Sequence, residues 1–158
     1  MSEGYYPASE FLRSIIAEEV PLFGSEMAEH NFKRLIALTR DEDRSNRDWA
    51  AMLLSQQDID TAEVREALLC AAADEDADVR AEAICGLARR DPAIALPFIR
   101  EALISDRVGY GVFEAAALVA DSSLVDHLRS FADPSDDPFV DDAVLRALAA
   151  CESGVPRD

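Results

Sequence analysis

Aromatic residues are scarce in this chain, at 7% of 158 residues, with a single tryptophan, Trp49. Valine, isoleucine and threonine are sparse beside alanine and leucine, a mixture that favours helices over strands. Cysteine is limited to Cys70, Cys85 and Cys151, and no CxxC pair occurs. An odd count at wide spacing argues against a disulfide framework or a zinc site. Cys70 and Cys85 stand among apolar helical neighbours and read as buried, reduced thiols. No apolar run reaches the length of a membrane span, and "MSEGYYPASEFLRSIIAEEV" lacks the basic and apolar regions of a signal peptide. The expectation is a cytoplasmic protein with no membrane partner. Basic residues are the remaining shortage: 15 against 32 acids, for a net charge of −17. A field of that sign repels phosphate backbones, which argues against nucleic acid, and attracts a basic protein. It also keeps a small protein soluble.

Catalytic signatures are missing too. His30 and His127 are far apart in sequence and read as surface histidines. There is no nucleophile elbow, Gly-rich phosphate loop or paired-histidine motif. Asp74, Asp76 and Asp78 alternate as the first three ligands of an EF-hand loop do. Val79 then stands where that loop requires Gly, and Cys85 where it requires a bidentate Glu. No catalytic residue, cofactor or metal site is expected, and the chain reads as a non-enzyme.

What the sequence does contain is a repeat. "RDWAAMLL" (47–54) aligns with "RAEAICGL" (80–87) at an offset of 33, and the triplets "DED" at 41–43 and 74–76 align at the same offset. "VFEAAALV" (112–119) follows at an offset of 32, and "DDPFVDDAVLRAL" (136–148) repeats the acidic turn and the Ala/Leu run. Each unit reads as helix A, acidic turn, helix B. Ala28, Phe32, Leu35 and Ile36 form the apolar face of one A helix; Val64, Leu68, Leu69 and Ala72 form that of the next. Val79, Ala83, Ile84 and Leu87 line a B helix, and small residues at Ala50, Ala83, Gly86, Ala115 and Ala147 permit close stacking. Asp60 with Glu63 resembles a capping box, and Asp91–Pro92 and Asp137–Pro138 read as N-cap and N1. Pro97 should kink or split the third A helix. The organisation is one domain, 1–158, with repeats at 25–56, 57–90, 91–120 and 121–152, a cap helix at 8–20 over the first unit's apolar face, and a frayed tail at 153–158.

"DEDADVRAEAICGL", an acidic turn, Val-Arg and A-x-x-x-L, resembles the second half of a HEAT repeat of the short bacterial kind found in phycobilin lyases. The second unit (about 61–90) matches best. The first carries Asn46 in the Val place, the third lacks the Arg, and the fourth has Asp141 there. The resemblance implies an all-α fold: a right-handed α-solenoid of about four helix pairs, B helices on the concave side, plus the N-terminal cap. It also implies that Asp43, Arg47, Asp76 and Arg80 bond between units.

Equivalent concave positions are Trp49, Glu82 and Glu114. Trp49, preceded by Asp48, is either a binding anchor or a residue packed on the cap helix. Tyr110, between Gly109 and Gly111, is either an adaptable contact or part of a turn with positive φ. The acidic turns, with Asp74, Asp78, Asp136 and Asp137, should align along one edge, steering a basic partner or capping helices. The function these features point to is a protein-interaction scaffold with a concave, acidic surface. A sharper form is an immunity protein or inhibitor that neutralises a basic toxin or nuclease. The alternative of another class is a bilin lyase-like accessory enzyme. Oligomeric state is left open.

Overall fold

Helices in this chain begin where the sequence supplies a side-chain oxygen. In the computed structural model, which describes residues 4–158, Ser9, Ser25, Asp43, Thr61, Asp76, Asp91 and Asp137 each accept a hydrogen bond from a first-turn backbone N–H. A short α1 (Glu10–Ile16) precedes the pairs α2 (Glu26–Leu38) and α3 (Arg44–Ser55), α4 (Ala62–Ala71) and α5 (Ala77–Arg90), and α6 (Pro92–Leu103) and α7 (Tyr110–Val119). A 3-10 turn at Ser122–Leu124 then runs into α8 (Val125–Arg129), which pairs with α9 (Pro138–Ser153). All regular elements among the described residues are helical, and none is long and apolar enough to cross a membrane.

Several elements differ from the sequence reading. The first helix ends at Ile16, not Val20: Glu18 takes a left-handed φ of 58°, and two acids at a helix C-terminus oppose the dipole. Thr61, not Asp60, caps α4, while Asp60 pairs with Arg65 at 2.7 Å. The third A helix runs unbroken through Pro97. Pro97 costs only the bond to the Ala93 carbonyl, and both residues are exposed to water. Cys70 lies exposed on α4, and only Cys85 and Cys151 are buried. Burial pushes the Cys85 thiol up to about 12, so it packs as a small apolar side chain. The tail folds back instead of fraying: the Arg157 N–H donates to the Ala117 carbonyl at 3.0 Å.

The helices form two files. Successive B helices α3, α5, α7 and α9 pack extensively on one another, whereas successive A helices touch little. The inner file is therefore the tighter one and curves the array toward itself. Its small residues set the spacing. A Cβ on Gly86 would meet the Ser55 Cβ at 2.6 Å, and one on Gly111 would meet the Ala81 carbonyl oxygen at 2.8 Å. Between the files, Leu54, Leu68, Ile84, Leu87, Ile99 and Phe113 are fully buried. Phe11, Leu12 and Ile15 of α1 bury against the first unit. The Ser9 N–H donates to Asn46 Oδ1 at 2.8 Å, so the residue that replaces Val in the first unit ties on the N-terminal segment.

Arginines join the units, and of the four residues expected to do so Arg47 and Asp76 take part, while Asp43 and Arg80 do not. Arg47 Nε meets Asp74 at 3.0 Å, and Arg44 meets Asp76 at 2.5 Å and Asp78 at 2.7 Å. Arg107, from the third unit, reaches the same Asp78 at 3.0 Å. Arg80 instead stays in its own turn, donating to the carbonyls of Asp74 and Glu75, and Asp43 only caps α3. The Arg47–Asp74 pair has side chains 14% and 12% exposed and outweighs the Arg44 pairs, where the guanidinium is 43% exposed and solvent screens the charge.

Arg90 was not singled out by sequence. Its guanidinium donates to the carbonyls of Leu54, Ser55, Gln57, Ile59 and Gly86, at 2.6 to 3.2 Å. It thus satisfies the orphan carbonyls at the end of α3 from the end of α5. Arg90→Met should cost about 3 kcal/mol in denaturant unfolding, because several part-buried carbonyls lose their partner at once. Arg44→Ala should cost under about 1 kcal/mol. Equal losses for the two would show that α3 does not depend on this cap.

Candidate functional site

The inner file carries the candidate residues on three of its B helices. Asp48 and Trp49 come from α3, Glu82 from α5 and Glu114 from α7. Their charges sense one another: burial, then Asp48 and Glu114, push the Glu82 carboxyl up to about 7, with Asp78 adding to the rise and Arg89 opposing it. Glu82 and Glu114 have no hydrogen bond or ion pair among the described residues. Asp48 is also raised, chiefly by burial, while the nearby Tyr5 hydroxyl and Arg44 counter the rise. Burial and Asp48 in turn push the Tyr5 phenol up to about 12. Arg44 is committed to Asp76, Asp78 and the Tyr5 oxygen. The face thus holds several part-buried carboxylates and few cations.

Trp49 packs on the N-terminal segment through residues ahead of α1. Tyr5 and Tyr6 both stack on the indole, with ring centroids 6.1 and 6.4 Å away. Its Nε1 is buried without a hydrogen-bond partner among the described residues. On one side of the indole, Tyr5, Asp48, Met52 and Glu82 complete a pocket of about 170 Å³. On another, Ile16, Val20, Leu22 and Met52 border an open groove of about 560 Å³. Sequence reasoning passed over Tyr5 and Tyr6, although two consecutive tyrosines in an aromatic-poor chain were a signal.

The acidic turns do other work. Asp74 accepts Arg47 and the Asp76 N–H, Asp78 accepts Arg44 and Arg107, and Asp137 caps α9; Asp136 is exposed. Tyr110 opens α7, 41% exposed, away from the Trp49 pocket. Its flanking glycines serve neither flexibility nor positive φ. Gly109 has φ −70°, and a Cβ there would meet the Ala81 Cβ at 2.5 Å, so the two glycines let α7 lie against α5.

The raised Glu82 value fixes a pH dependence. The folded state keeps a proton that the unfolded chain releases near the ordinary value of 4.5, so Glu82's contribution to stability falls as pH rises from about 4.5 through about 7. At about pH 8, Glu82→Gln should be more stable than the natural chain by about 2 kcal/mol, with the gain vanishing below about pH 4.5. Thermal unfolding across that range checks it, and a gain independent of pH would refute the electrostatic cause.

With this geometry in place, the comparisons with known proteins are specific for architecture. No curated protein matches the chain. Among solved structures, the X-ray structure of YibA from Escherichia coli matches with a TM-score of 0.60 at 22% identity, over 89% of this chain and 54% of that one. This chain therefore spans about half the length of YibA, and the likeness concerns the fold. A family model of HEAT repeats matches residues 32–120, covering the first three helix pairs from within α2 to Ala120. That is more than half of the sequence, and the chain belongs to the HEAT-repeat family.

Proposed function

We propose that this protein is a non-enzymatic scaffold that holds a basic protein partner against its concave B-helix face. HEAT repeats generally mediate protein-interaction scaffolding. The observation that carries the finer reading is the unpaired state of Glu82 and Glu114 beside Asp48, in a chain of net charge −17. Carboxylates kept part-buried and mutually repelling cost stability, and a cationic surface laid over them would relieve that cost. The turn edge supports the reading less, because Arg44, Arg47 and Arg107 already meet its aspartates. The non-enzymatic part is supported by the placement of His30 on α2 and His127 on α8, both outside the inner file that carries the acids.

The test compares two charge-neutralised variants in binding basic proteins from a lysate at low and high ionic strength. Asp48→Asn/Glu82→Gln/Glu114→Gln should lose binding, whereas Glu42→Gln/Glu75→Gln, on the exposed turns, should retain most of it. Binding by the natural chain should weaken as salt screens the charges. Capture that is indifferent to salt and to the inner-face variant would overturn the reading.

A further inference from the structure

The pocket between Tyr5, Asp48, Trp49, Met52 and Glu82 is the place where the inner face changes from a field into a shaped site. Its about 170 Å³ is room for one side chain and not for a helix. Two carboxylates enter from adjacent repeats: Asp48 from α3 and Glu82 from α5. Aromatic rings supply another part of its lining, with Tyr5 stacked on Trp49 at an interplanar angle of 26°. Neither Asp48 nor Glu82 has an ion pair among the described residues, and Arg44 touches the pocket only through the Tyr5 hydroxyl, to which it donates at 3.1 Å. Arg44, which lies 5.9 Å from the centre of the Tyr5 ring, is held by Asp76 and Asp78.

Each wall of this pocket favours the same chemistry. A planar, delocalised cation stacks on aromatic faces, forks onto carboxylates and gives up its hydration more readily than an ammonium does. The polar inventory also has gaps. Glu82 lacks a hydrogen-bond partner among the described residues, and the Trp49 Nε1 is buried with no acceptor. Buried donors in folded proteins are nearly always paired, so an orphan beside a pocket marks a missing partner. An arginine brought in by a polypeptide would carry both kinds of group: guanidinium donors for Asp48 and Glu82, and backbone carbonyls as acceptors near the indole. Small movements of Tyr5 and Tyr6, whose segment is exposed, would open the indole to them.

We infer that this pocket is an arginine receptor, in which the guanidinium of a partner's arginine inserts between the Tyr5–Trp49 aromatic pair and the carboxylates of Asp48 and Glu82. The inference rests on the acidic inner face as the docking surface and names the single side chain that anchors a partner there. Charge complementarity selects a cation. The paired aromatic and carboxylate walls select arginine over lysine, and the narrow volume selects one side chain over a longer segment.

Trp49 is the only tryptophan, so its indole resonance reads the pocket without ambiguity. The titration uses the full chain at about pH 8, above the raised Glu82 value, with a blocked Gly-Arg-Gly tripeptide, its lysine and citrulline counterparts, and a longer oligo-arginine peptide. The arginine tripeptide should shift the Trp49 indole N–H resonance saturably, lysine less, and uncharged citrulline not at all. Glu82→Gln and Asp48→Asn should each weaken the arginine tripeptide about tenfold, and Glu114→Gln, outside the pocket, by less than about threefold. If the tripeptide leaves the indole unmoved while oligo-arginine binds in a salt-dependent way, the receptor is refuted and the acidic docking face stands. If citrulline binds as well as arginine, the pocket does not read charge and the inference is wrong. If neither charged peptide binds, both the receptor and the acidic-face reading fall.

Discussion

Close contact between successive inner helices is the constraint on which the rest of this structure depends. Ser55 against Gly86, and Ala81 against Gly109 and Gly111, leave no room for a further methyl group. Because the A helices are not pressed together in the same way, the array bends toward its B helices. Two consequences follow at once. Residues one repeat apart, such as Asp48 and Glu82, are brought onto a common face. The C-terminal carbonyls of α3 are brought within reach of Arg90 at the end of α5. Charge field and polar cap are products of the same spacing.

The polar contacts then rank by exposure. Arg90 meets five backbone carbonyls in part-buried surroundings, and Arg47 meets Asp74 with little solvent nearby. Arg44 and Arg107 converge on Asp78 from either side, in fuller contact with water. The first kind holds units together, since removing it leaves buried groups unpaired. The second sets the register of the turns and cancels acid charge along that edge. The turns carry most of the obvious acidic motifs, yet Asp74, Asp76 and Asp78 there are matched by arginine, whereas Glu82 and Glu114 on the inner face are not.

Much of the architecture was legible in the sequence because it is written in local terms. Two helix starts follow from Asp91–Pro92 and Asp137–Pro138, and the buried stripe Val79, Ala83, Ile84 and Leu87 follows from helical periodicity. The register of Trp49, Glu82 and Glu114 followed from aligning repeats. What escaped depends on contacts distant in sequence. Arg90 looked like an ordinary C-terminal cation until α3 was placed beside it, and Arg80 looked like a fastener although its reach ends at its own turn. The glycines around Tyr110 suggested backbone freedom, but the cause is Ala81, about 30 residues away. Asn46 was a recognisable departure from the repeat, and its reason, the Ser9 N–H, lies outside the repeat altogether.

Departures from the repeat also locate the site. In a uniform solenoid each inner position would be flanked alike, and no pocket would differ from the next. Here the N-terminal segment, tied down through Asn46, lays Tyr5 and Tyr6 over Trp49 and walls one end of the acidic face. At the other end Arg157 bonds to the Ala117 carbonyl, and the tail closes over Phe113 and Glu114. The segment at Tyr5 and Tyr6 and the one at Arg157 give the two ends of the face different chemistry. The end at α3 combines aromatic rings with carboxylates, while Arg146 and Arg157 temper the end at α7. A partner laid along the inner helices would therefore meet a polar gradient and have one preferred direction, which a face of identical repeats could not impose.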